Sequence, residues 1–94
     1  MRVHPGKAEA YEAICREFMP RMAAANPDIV FYEAVRSRDE PDTFRVIEAY
    51  ADQAAMDQHI ANPDLRVSFG ALRDCIAELD IRLHDSIDQA NSPA

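Results

Sequence analysis

The sequence predicts an α+β domain with the ferredoxin-like βαββαβ pattern, an antiparallel sheet covered by helices. Three observations predict it. An apolar stripe at helical spacing begins after Lys7. Two runs rich in β-branched and aromatic residues follow, separated by a short charged loop. Two further helical segments then lead into a stretch of strict alternation. A chain of 94 residues makes one domain, large enough for two layers around one core.

Taken in order, Met1-Arg2-Val3-His4 supplies only the end of a strand, punctuated by Pro5-Gly6. Tyr11, Ile14, Cys15, Phe18 and Met22 then recur three and four apart and form one helical stripe. Pro20 lies inside that stripe. It removes a backbone donor and disfavours helix at Met19, so a kink or a break is expected there. Asn26-Pro27-Asp28 closes the segment. Residues 29–36 read as a strand with Val30, Tyr32 and Ala34 on one face and Ile29, Phe31 and Val35 on the other. Both faces are mostly apolar, so both should be covered. One layer of helices covers one face, and a second subunit is the cover expected for the other.

Ser37 to Thr43, with Pro41, reads as a hairpin loop. In the next strand, residues 44–50, Phe44, Val46, Glu48 and Tyr50 share a face, and Arg45, Ile47 and Ala49 share the other. Asp52 is the expected N-cap of a short helix reaching about Ile60. Asn62-Pro63-Asp64 starts another, with a capping Asn, Pro at the first position and an acid at the positive dipole end. Leu65, Phe69, Leu72 and Ile76 form its stripe. Leu79, Ile81 and Leu83 alternate with Asp80, Arg82 and His84, which predicts a half-buried last strand. The domain is expected over residues 1–87, with a frayed tail at 88–94.

Composition narrows the function classes. Lys and Arg number 10 and Asp and Glu 17, a net charge of −7. That charge argues against nucleic acid and against an anionic membrane surface. No run approaches the length of a membrane span. Charged helical sequence begins by Lys7, so no signal peptide is expected before it. Cys15 and Cys75 are too few for a disulfide scaffold, which points to a reducing cytoplasm. Cys15 is expected to be buried on the stripe and Cys75 to be partly exposed. With Gly6 and Gly70 the only glycines, there is no phosphate-cradling loop or dinucleotide fingerprint. Neither a ligand spacing for metal nor a nucleophile elbow is present, so no metal is expected.

Residues 3 to about 83 resemble antibiotic biosynthesis monooxygenase domains, which include quinol monooxygenase-like proteins. The resemblance rests on Val3-His4-Pro5-Gly6-Lys7, Tyr32-Glu33, Pro41-Asp42-Thr43-Phe44, Glu48 with Tyr50, Ala55 with His59, and Asn62-Pro63 with Phe69 and Leu72. It implies a homodimer, a dimeric α+β barrel in which two four-stranded sheets close face to face. It also implies a pocket in each subunit between sheet and helices, and a reaction needing no cofactor. Two departures stand out. The first strand is shortened, so an upstream segment is expected ahead of Met1. Trp is absent, whereas haem-degrading members of the fold use a Trp with an Asn and a His, so that branch is not expected.

His59 with Glu48 is the first candidate for chemistry. Histidine trades protons near neutral pH, and a neighbouring carboxylate fixes its tautomer and raises its basicity. The alternative is a structural hydrogen bond joining helix to sheet. Tyr32 and Tyr50 are candidate substrate contacts, each a hydrogen-bond donor on a packing ring, or else amphipathic core residues. Phe18, Met22, Phe69 and Leu72 are candidates for an apolar pocket wall, or plain core. The function expected is a cofactor-independent monooxygenase acting on an aromatic quinol or polyphenol with dioxygen. Two rivals use the same residues: a proton-transfer isomerase, and a non-catalytic ligand-binding or stress-associated dimer.

Overall fold

A computed structural model describes residues 1–87, and the tail expected at 88–94 lies outside the described residues. In chain order the elements are β1 (Arg2–Val3), α1 (Ala8–Ala25), β2 (Ile29–Arg36), β3 (Phe44–Tyr50), α2 (Gln53–Ala61), α3 (Pro63–Arg73) and β4 (Ile76–Glu78). The fold is α+β with antiparallel strand pairs, as the pattern predicts.

The apolar stripe of α1 buries Ala8, Tyr11, Cys15, Phe18 and Met22. The helix runs unbroken through Pro20, so the break expected there does not form. Pro20 is exposed. The carbonyl that loses its donor therefore lies on the wet side of the helix, where water replaces the bond.

β2 and β3 form an antiparallel hairpin in register from Arg36↔Phe44 to Phe31↔Ala49, with an irregularity between Ile29 and Phe31. Tyr32, Ala34 and Arg36 alternate as the half-buried face. The irregularity turns Val30 away from that face, on which the simple alternation places it, and leaves it 41% exposed. Phe31, Val35 and Ile47 lie exposed on the outer face.

β1 joins the two strand pairs. On one side it pairs with β4 through Arg2↔Glu78 and Val3↔Ile76. On the other, the Val3 N–H donates to Asp42 O at 2.8 Å and the Phe44 N–H to Met1 O at 2.9 Å. The strands form two two-stranded sheets, β4-β1 and β3-β2, and the isolated Arg2↔Thr43 bridge sets β1, only two residues long, beside the start of β3. That shortness corrects the prediction for the last strand. β4 covers Ile76–Glu78, not residues 79–83. Leu79, Ile81 and Leu83 are 44%, 75% and 77% exposed. Alternation alone makes no strand where no neighbour offers hydrogen bonds. Ile76 likewise belongs to β4 and not to the helical stripe, because α3 ends at Arg73.

The Phe44 N–H and C=O both face β1. In an antiparallel ladder every second residue faces the same side, so the backbone groups of Val46 and Glu48 face that side too. Among the described residues they have no partner there.

The core gathers Val3, Tyr11, Cys15, Phe18, Met22, Phe44, Leu72 and Cys75 between sheet and helices. Cys75 is 4% exposed, a correction to its expected partial exposure. It sits directly before β4, where its carbonyl accepts the His4 N–H at 2.8 Å. Tyr11 and Phe44 stack at 4.6 Å between centroids. Outside, Arg21 clamps α1 to α3 through Asp64 at 2.9 Å and also reaches Glu17. Among the described residues, no helix is long and apolar enough to cross a membrane.

Candidate functional site

Asp52 caps α2 by accepting the Ala55 N–H at 2.8 Å. The cap fixes where the helix begins, and therefore which face it turns inward. Ala55 and His59, four residues apart, are its buried residues. The imidazole of His59 is driven toward β3, where Nε2 lies 3.3 Å from Oε1 of Glu48. Register places Tyr32 of β2 directly opposite Glu48. Tyr50, two residues along β3, donates its hydroxyl to Oε2 of Glu48 at 3.1 Å. The Tyr32 ring meets His59 edge-on at 5.4 Å, and the Tyr50 ring lies tilted at 5.9 Å. Glu48, His59, Tyr32 and Tyr50 are thus brought together, with one carboxylate oxygen on the imidazole and the other on a phenol.

Nε2 is the ring nitrogen that approaches the Glu48 carboxylate, which only accepts. Nδ1 is buried and has no hydrogen-bond partner among the described residues. His59 itself is 4% exposed. An unpaired polar atom in such a place costs about 1–3 kcal/mol, which a purely structural helix-to-sheet bond does not require. Burial first, and the Glu48 charge second, push the phenols of Tyr32 and Tyr50 well above their ordinary pKa. Both remain protonated donors through the neutral range.

The apolar candidates sit elsewhere. Phe18, Met22 and Leu72 belong to the core cluster, and Phe69 packs half-buried against it. Two clefts are described. One, of about 310 Å³, opens between the ends of α1 and α2 and is lined in part by Asn26, Gln58, His59 and Asn62. The other, of about 250 Å³, runs between α1 and the hairpin past Tyr11, Cys15 and Arg36. His59 lines the first; Tyr32, Tyr50, Phe18, Met22, Phe69 and Leu72 line neither. His4 and His84 are exposed. Among the described residues, no three His, Cys, Asp or Glu side chains gather as metal ligands.

One residue escapes sequence reasoning. Asn26, read as a helix terminator, is 4% exposed. Its Nδ2 donates to Ala55 O at 2.9 Å and its Oδ1 accepts the Asp28 N–H at 3.2 Å. Asn before Pro signals a helix end in any sequence, and that reading hides the long-range bond.

The sequence profile described as "Antibiotic biosynthesis monooxygenase" matches residues 1–69. The chain belongs to the antibiotic biosynthesis monooxygenase family. Solved structures agree with that fold. A Bacteriodes thetaiotaomicron protein, provisionally named an antibiotic biosynthesis monooxygenase, superposes with a TM-score of 0.86 at 22% identity, covering 100% of this chain and 90% of its own. A Chloroflexus aurantiacus protein with the same provisional name gives 0.68 at 20%, covering 90% of each chain. A conserved Methanosarcina mazei protein gives 0.75 at 19%, covering 83% of this chain and 76% of its own. No curated protein matches the sequence. Membership of the antibiotic biosynthesis monooxygenase family supports a small monooxygenase-like or ligand-binding function.

Proposed function

We propose that this family member is a cofactor-independent monooxygenase acting on an aromatic quinol or polyphenol. The observation that supports it is His59: buried, with Nε2 beside Glu48 and Nδ1 without a hydrogen-bond partner among the described residues. Nδ1 is the base. It takes a phenolic proton, and Glu48 stabilises the imidazolium that results. The electron-rich phenolate then reacts with dioxygen. One oxygen atom enters a ring carbon, the other leaves as water, and the substrate supplies all four electrons. Tyr32 and Tyr50 are neutral donors that steady oxygen-centred negative charge. Phe18, Met22 and Leu72, with Phe69 packed against them, support the site from the core and do not line it.

The protein acts as a homodimer in this reading, closed through the exposed outer face of Phe31, Val35 and Ile47. Its site is the reducing cytoplasm, in keeping with the free thiols of Cys15 and Cys75. The filled core at Phe18, Met22 and Leu72 favours a second reading, a ligand-binding or stress-associated dimer without turnover.

Oxygen uptake with a panel of hydroquinones and polyphenols tests the choice. Wild type consumes oxygen above autoxidation, and His59→Ala loses roughly 10²-fold or more, the usual loss for a general base. Uptake equal to autoxidation removes the oxygenase reading for those substrates. Proton exchange into substrate without oxygen uptake would then identify an isomerase.

A further inference from the structure

We propose that Asn26 is a positioning residue for His59; the inference rests on the reading of His59 as the base. α2 has only nine residues, from Gln53 to Ala61, and a helix that short is marginal without external anchors. Its N-terminus is fixed locally by Asp52. The anchor from outside is the Asn26 carboxamide, which reaches from the end of α1 to Ala55 O.

The choice of that carbonyl matters. In an α-helix the carbonyl of residue 55 also accepts the N–H of residue 59. Asn26 therefore grips the acceptor that holds the backbone of His59, and it does so in a buried setting where water cannot compete. Asn26 and His59 line the same cleft at the ends of α1 and α2. The second arm of the carboxamide, Oδ1, is held by Asp28, so the side chain is fixed in the bond-making orientation. Moving α2 by a fraction of an ångström along β3 would change the 3.3 Å contact between Nε2 and Glu48.

Two substitutions separate the arms. In Asn26→Ser the hydroxyl still accepts from Asp28 but is too short to reach Ala55. Asn26→Gln keeps the carboxamide on a longer stem. The readout is the ¹⁵N spectrum of the His59 imidazole across pH, with oxygen uptake measured in parallel. Wild type shows Nε2–H with a bare Nδ1. Asn26→Ser shows a mixed tautomer and a shifted His59 titration, and kcat falls roughly 10- to 100-fold with KM little changed. Asn26→Gln recovers part of the wild-type signature. A His59 signature unchanged in Asn26→Ser, with only the melting temperature lowered, overturns the proposal. If that variant does not fold, amide hydrogen exchange in wild type decides: His59 should exchange as slowly as the α1 core, whereas uniformly rapid exchange across α2 overturns it. A shifted signature in a protein that consumes no oxygen supports the positioning and defeats only the oxygenase reading.

Discussion

The β2–β3 hairpin and the β1–β4 pair meet at a single bridge, yet they are held by different things. The hairpin pairs seven residues of β3 with a strand only a short loop away. Its closure is local, and its covered face carries Tyr32, Glu48 and Tyr50. The β1–β4 pair spans nearly the whole chain, pairs two residues of β1, and depends on the core beneath it. The candidate site thus stands on the strand pair closed by the shorter stretch of sequence. The other pair serves to close the core. The candidate site residues stand on the hairpin and α2, while the long-range pair closes the core beneath them.

Phe44 joins the pairs, and the sharpest break comes there. It is 2% exposed, stacks on Tyr11 and hydrogen-bonds Met1 through its backbone. Phe44→Ala should destabilise by about 3–5 kcal/mol in urea unfolding. A cost under about 1 kcal/mol would show that the two pairs are not coupled through it. A paired substitution sharpens the contrast between outer surfaces. Phe31→Glu, on the hairpin, should convert dimers to monomers or aggregates in sedimentation, because it buries a charge in the proposed interface. Ile81→Glu, beyond β4, should leave chain stability within about 0.5 kcal/mol. An unchanged dimer in Phe31→Glu would remove the proposed face-to-face orientation.

The smallest effect is in alkali. The phenols of Tyr32 and Tyr50 have raised pKa values in the fold, chiefly through burial. The folded state therefore holds their protons more tightly than the unfolded chain. Their contribution to stability is fully present below the ordinary tyrosine value near 10 and is lost as pH rises from there through the folded values. Tyr32→Phe should flatten the fall in melting temperature above pH 10, and an equally steep fall would assign it to other groups.

Much of this was legible in the residues. The stripe of α1, the alternation of β3 and the caps at Asp52 and Asn62 are local signals, and the structure repeats them. The meeting of Glu48 with His59 followed from one strand face and one helix face pointing at each other. What could not be read was non-local. Alternation at residues 79–83 carries no information about whether a neighbour exists to pair with. The irregularity near Val30 depends on register across the hairpin. Pro20 reads as a breaker unless its exposure is known. Asn26 hides a bond to a residue 29 positions away behind an ordinary helix-ending motif.

The two-residue length of β1 has a consequence for handling this protein. Beyond Phe44, the backbone groups of Val46 and Glu48 on the inward edge of β3 have no hydrogen-bond partner among the described residues, beside the apolar Ile47. Unpaired strand edges are templates on which further chains can add, and natural sheets blunt them with charge. Arg45 and Glu48 are the charges placed along this edge. Like charges repel between stacked copies; acid removes the Glu48 part of that repulsion but leaves the Arg45 charge, and salt screens both.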